Sequence, residues 1–145
     1  MISIDDVARL ALELPEVTEG ERHGRRTWSV AGKAFAWDRP FSKADVKRFG
    51  PATPPDGAIL AVAVADLGEK EAVLAANPDA FFTIPHFEGY AAVLVHLRTA
   101  KKRDVREALV DGWLACAPQK LVAEFIATNR SARRSLPEVR GGRSR

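Results

Sequence analysis

Two short alternating runs, Arg26–Val30 and Lys33–Trp37, flank the dipeptide Ala31-Gly32. Nothing else in the chain restricts the fold as tightly, because strands two residues apart close as an antiparallel hairpin. With that turn, Val30 faces Lys33, Trp28 faces Phe35 and Arg26 faces Trp37, so these six share one face. Thr27, Ser29, Ala34 and Ala36 line the other and are all small. Ala-Gly is a weaker turn signal than Asn-Gly, which leaves the register open to a slip.

Around the hairpin, apolar periodicity sets the remaining elements. Ser3 and Asp6 form a capping box, and Ile4, Val7, Leu10, Ala11 and Leu14 follow helical spacing until Pro15. A charged loop, Glu19–Gly24, leads into the hairpin. The connection from Asp38 to Asp56 holds Pro40, Pro51, Pro54 and Pro55, with a helical turn expected over Phe41–Phe49. The near-continuous apolar run Ala58–Val64 suits a central strand. Asp66 and Glu69 open a helix through Ala76, closed by Asn77-Pro78.

Strands are expected over Phe81–Ile84 and Ala91–Leu97, either side of the segment Pro85–Tyr90. A helix over Lys102–Ala117 places Val105, Leu109, Gly112/Trp113 and Cys116 on one stripe, and Pro118 starts a shorter helix with Leu121, Val122, Phe125 and Ile126. Hairpins with flanking helices indicate an α+β two-layer sandwich, its sheet mostly antiparallel with the helices on one side.

The 145 residues fit one domain, expected over 1–128, followed by a basic, disordered tail over 129–145. Net charge is +3, but Arg130, Arg133, Arg134, Arg140, Arg143 and Arg145 all lie in that tail, opposed only by Glu138. The remainder carries 16 basic against 18 acidic residues. No apolar run reaches the roughly 20 residues of a membrane span, and the N-terminus lacks a signal-peptide pattern. A lone Cys116 excludes an internal disulfide, so the cytoplasm is the expected compartment.

Four strings resemble the MmcQ/YjbR family of small bacterial proteins in their order and spacing: Glu19–Gly24, Gly32–Trp37, Phe81–Tyr90 and Asp111–Pro118. The resemblance runs from Ile4 to Ile126. It implies a CyaY-like α+β fold, described for that family as a double-wing DNA-binding arrangement, and it supplies no catalytic residues. Gly112 departs from the Ala or Ser expected there; close packing against a neighbour accounts for a glycine within a helix.

Three clusters of cations carry the DNA-binding reading. Arg25, Arg26 and Lys33 neighbour Trp28, Phe35 and Trp37 on the hairpin, where cations offer phosphate affinity and exposed aromatics could stack on bases. A core role for those aromatics is favoured, because the other hairpin face has nothing large to bury, and this leaves the charged rim to meet a partner. Lys101, Lys102 and Arg103 stand at a helix start, where the helix dipole does not ask for cations. Lys43, Lys47 and Arg48 form the third cluster.

The histidines show no metal-ligand spacing. His23 and His86 could instead meet with Tyr90 in a small pocket, and His96 alternates with Leu94 as a sheet residue. Cys116 and Trp113 lie on an apolar stripe and read as packed. The expectation is a monomeric DNA-binding protein with no cofactor, no metal and no catalytic activity. It contacts mainly phosphates, with modest sequence preference. A module for a protein partner or small ligand in the groove near Pro85–Tyr90 stands second, and an enzyme or metal site using His23 and His86 third.

Overall fold

The computed structural model describes residues 2–40 and 58–135. The expectations for Lys43, Lys47 and Arg48, for a turn over Phe41–Phe49, and for the side chains of the tail arginines lie outside the described residues.

Helix α1 (Ile4–Leu12) begins at the capping box read from the sequence, with Ser3 Oγ accepting from Asp6 N–H and Asp6 Oδ2 accepting from Ser3 N–H, both at 3.0 Å. Strands β1 (Val17–Arg22), β2 (Arg25–Val30), β3 (Lys33–Asp38) and β4 (Ile59–Ala63) follow. Helix α2 (Leu67–Ala76) is capped by Asp66, whose Oδ1 accepts from Glu69 N–H at 2.8 Å. Next come β5 (Phe81–Phe82), a 3-10 turn (Pro85–Phe87), β6 (Ala92–His96), helix α3 (Lys102–Cys116) and helix α4 (Gln119–Ser135). Helix α4 thus continues past Thr128, the last residue of the expected domain, into the segment 129–145 expected as a tail.

The six strands form one antiparallel sheet in the order β1-β2-β3-β4-β6-β5. This is the α+β architecture expected. Its main core joins Val7, Leu10 and Ala11 of α1 to Trp28, Phe35, Leu60, Val62, Val93 and Val95 of the sheet and to Val105, Leu109 and Trp113 of α3. Trp113 Nε1 donates to Pro15 O at 2.9 Å, tying the end of α1 to α3. A β-carbon on Gly112 would lie 2.9 Å from Val62 Cγ1 and 3.1 Å from Ala63 O, so close approach of α3 to the sheet explains this glycine.

Two expectations change. Glu19–Gly24 is not a loop: it supplies most of β1 and the turn His23-Gly24, whose φ angles of 53° and 76° fit a two-residue hairpin turn. As an edge strand β1 is largely exposed, so it lacks the alternation that marks a half-buried strand.

The hairpin register also slips. Val30 pairs with Lys33 and Ser29 with Ala34 as expected, but Trp28 then pairs with Ala36 and Thr27 with Trp37. Phe35 is the extra residue of a β-bulge, and Phe35 and Ala36 both join the main core. Trp37 therefore falls on the opposite face, against a second core of Ile59, Ala61, Ile84, Phe87, Ala92 and Leu94. The hairpin aromatics do not share one face.

Candidate functional site

Period two along β1 and β2 sorts their charges by face. Glu19, paired with Trp28, and Glu21, paired with Arg26, lie on the helix side, whereas Arg22 and Arg25, paired with each other, lie on the far side with Thr27. The helix side is satisfied internally. Arg26 Nε donates to Glu19 Oε2 at 2.9 Å and Nη1 to Asp5 Oδ1 at 2.8 Å, while Trp28 Nε1 donates to Glu19 Oε1 at 3.0 Å. The Arg26 hydrogen bond, aided by Trp28, holds the Glu19 carboxyl below its ordinary pKa against partial burial. Arg26 is thus a clamp between β1 and α1.

On the far side the sheet curls. A straight β2 would hold its two turns about 17 Å apart. Yet Arg22 Nη2, beside the first turn, donates at 3.3 Å to the carbonyl of Gly32 in the second. The bulge at Trp28/Ser29 supplies the bend. The concave face encloses a cleft of about 580 Å3.

Five basic residues line it: Arg22, His23, Arg25, Lys33 and Arg39. Thr27, Trp37 and Tyr90 contribute to its walls, and Asp38 is the acid among the described lining residues. Burial pushes the Asp38 carboxyl pKa up, against the pull of Arg25 and Arg26. Arg39 stacks its guanidinium 5.5 Å from the Phe87 ring centre.

Tyr90 reaches the cleft because its loop is pinned from below. Lys70, only 6% exposed, donates from Nζ to Phe87 O at 2.6 Å and to Tyr90 O at 2.8 Å. The Tyr90 ring stands edge-on to Phe87 at 5.5 Å and tilted toward Trp37 at 6.5 Å, and the residue stays 51% exposed.

Of the expected site residues, the fold brings Arg25, Lys33, His23 and Tyr90 together in this cleft and sends Arg26 to the other face. Lys101, Lys102 and Arg103 are exposed at the start of α3 and line no part of the cleft; Arg103 Nε approaches Asp104 Oδ1 at 3.8 Å. His86 sits in the 3-10 turn, and its side chain lies outside the described part of the molecule. Among the described residues no cluster of His, Cys, Asp and Glu could hold a metal ion. Cys116 packs with its Sγ 3.8 Å from Ala34 O, and burial pushes its thiol pKa up.

Sequence reasoning missed Arg22, Arg39, Lys70 and the cleft role of Trp37. Arg22 had a signal in His23-Gly24, a turn dipeptide flanked by arginines. Lys70 had none, since a lysine in a short helix reads as solvent-facing.

Acids gather elsewhere. A smaller cavity of about 200 Å3 between α2 and α3 has an apolar floor including Val62 and Val93 and carries Asp104, Glu107 and Asp111 at its sides. Burial, then Glu69 and Glu107, push the Asp111 carboxyl pKa up. Acids thus flank this cavity, whereas the cleft is lined mainly by basic residues.

Fold and cleft together define a small α+β domain with a cationic, aromatic-walled concavity on the sheet face away from its helices. The chain belongs to the YjbR family, whose sequence profile matches residues 12–115. Uncharacterized proteins of Mycobacterium tuberculosis and Mycobacterium bovis are 42% identical to it over 132 residues, spanning 89% of this chain and 99% of their own. A crystal structure of a Deinococcus radiodurans protein with a DUF419 domain shares the fold, with a TM-score of 0.57 at 19% identity, covering 100% of this chain and 96% of that one. Among the described residues no helix is long and apolar enough to cross a membrane.

Proposed function

We propose that this protein binds DNA through the sheet cleft, mainly by its phosphates and with modest sequence preference. The observation that carries this reading is the gathering of Arg22, His23, Arg25, Lys33 and Arg39 around one concave surface. Arg25 and Lys33 are exposed there, and neither makes a side-chain hydrogen bond or ion pair among the described residues. Exposed cations are what a phosphate backbone recruits, since binding releases its condensed counterions. In this reading the protein acts in the cytoplasm as a monomeric binding module, without a cofactor and without catalysis.

The test is binding of random-sequence DNA across a salt series by the full chain. Arg22→Ala with Arg25→Ala is expected to weaken binding and to reduce the salt slope by about one for each phosphate no longer neutralised. Replacing Arg140, Arg143 and Arg145 by serine is expected to leave most of the affinity. Loss of binding with the tail substitutions and none with the cleft substitutions overturns the proposal.

A further inference from the structure

We infer, resting on the nucleic-acid reading above, that the cleft receives an unstacked nucleotide of a single-stranded segment, its base against Tyr90 and Trp37 and its phosphates against Arg22 and Arg25. The shape comes first. A concavity of about 580 Å3 is of the size that encloses a small ligand, about 300–1,000 Å3, and is far too small for a double helix. The Arg22 to Gly32 hydrogen bond draws the β1–β2 tip over the same face, so the surface offered to a partner is hollow. A wing that enters a duplex groove needs a protruding one.

The aromatics come second. Trp28, Phe35 and Trp113 are fully buried, whereas Tyr90 is half exposed and Trp37 half buried at the cleft wall. The rings of Trp37 and Tyr90 are 6.5 Å apart and inclined by 46°, so they do not stack on one another. The indole N–H groups of Trp28 and Trp113 are each bonded, to Glu19 and Pro15, while that of Trp37 has no partner among the described residues. A donor and an aromatic face in a cationic cleft match a base and its phosphate together. Only a nucleotide outside a helix presents both to one pocket, because stacking and pairing hide the base in a duplex.

Binding of fluorescein-labelled oligothymidine is to be compared with binding of a relaxed, covalently closed circular duplex, which has neither ends nor unpaired loops, at equal salt. The inference expects the single strand to bind at least about tenfold more tightly. Tyr90→Ser is expected to remove that preference and Tyr90→Phe, which keeps the ring, to retain it. Equal or tighter binding of the duplex, or a preference untouched by Tyr90→Ser, overturns this inference. If Arg22→Ala with Arg25→Ala still weakens duplex binding, the nucleic-acid reading survives it. Binding of neither probe overturns both.

Discussion

The ammonium of Lys70 on α2 lies 2.6 Å from the carbonyl oxygen of Phe87 and 2.8 Å from that of Tyr90, on the far side of the loop that brings Tyr90 to the cleft. Two backbone acceptors share one buried donor. Burial lowers the Lys70 pKa, with Glu88 opposing, so the charge is retained through these hydrogen bonds at some cost. Lys70→Met removes the donor and leaves both carbonyls short of it. The expected loss is about 1–3 kcal/mol of unfolding free energy in urea titrations. Hydrogen exchange should quicken across residues 85–90 more than in β4 or β6.

Gly112 tests the packing of α3 on the sheet. Alanine there gains about 1 kcal/mol of helix propensity. Its β-carbon, however, meets Val62 Cγ1 at 2.9 Å and the carbonyl oxygens of Ala63 and Phe35 at 3.1 and 3.2 Å. Two of those three atoms are backbone and cannot swing aside. Gly112→Ala is expected to destabilise the protein by about 1–2 kcal/mol, read as a lower urea midpoint.

Ala31 sits at φ 51°, a left-handed conformation that an ordinary side chain adopts at a cost of about 1–2 kcal/mol. Gly32 beside it, at φ 79°, carries no such cost. Ala31→Asn converts the turn to Asn-Gly, the preferred pair for this hairpin. A gain of roughly 0.5–1 kcal/mol is expected in thermal or urea unfolding, with the fold unchanged.

The Glu19 network sets an acid limit on stability. Its carboxyl pKa is lowered from an ordinary 4.5, chiefly by Arg26. A carboxylate whose pKa is lower folded than unfolded contributes stability that is fully present above pH 4.5 and lost as pH falls through the lowered value. Unfolding midpoints should therefore drop on acidification below about pH 4.5. Glu19→Gln should flatten that dependence and lower stability at pH 7, where Arg26 then lacks its main partner.

Much of the fold was legible in local patterns, because caps, turns and apolar stripes are chemistry between near neighbours. Ser3 and Asp6 announced α1, Ala31-Gly32 announced the hairpin, and Val105, Leu109 and Trp113 marked the buried stripe of α3. The cleft was half legible: Arg25, Lys33, His23 and Tyr90 stood out as residues. Arg25 was grouped with Lys33 and His23 with Tyr90, but the union of the two groups in one cleft was not legible, since they come from two turns and a loop far apart in the chain.

What the sequence determined by itself was that β2 and β3 pair and which residues are large, charged or apolar. The side on which each residue falls was decided by tertiary structure. Strict alternation put Phe35 and Trp37 on one face with Trp28. Packing against α1 and α3 instead draws both Phe35 and Ala36 inward, and the extra residue turns Trp37 outward to the cleft. A bulge leaves no mark in a two-residue period, because it is the response of a strand to the curvature its neighbours impose.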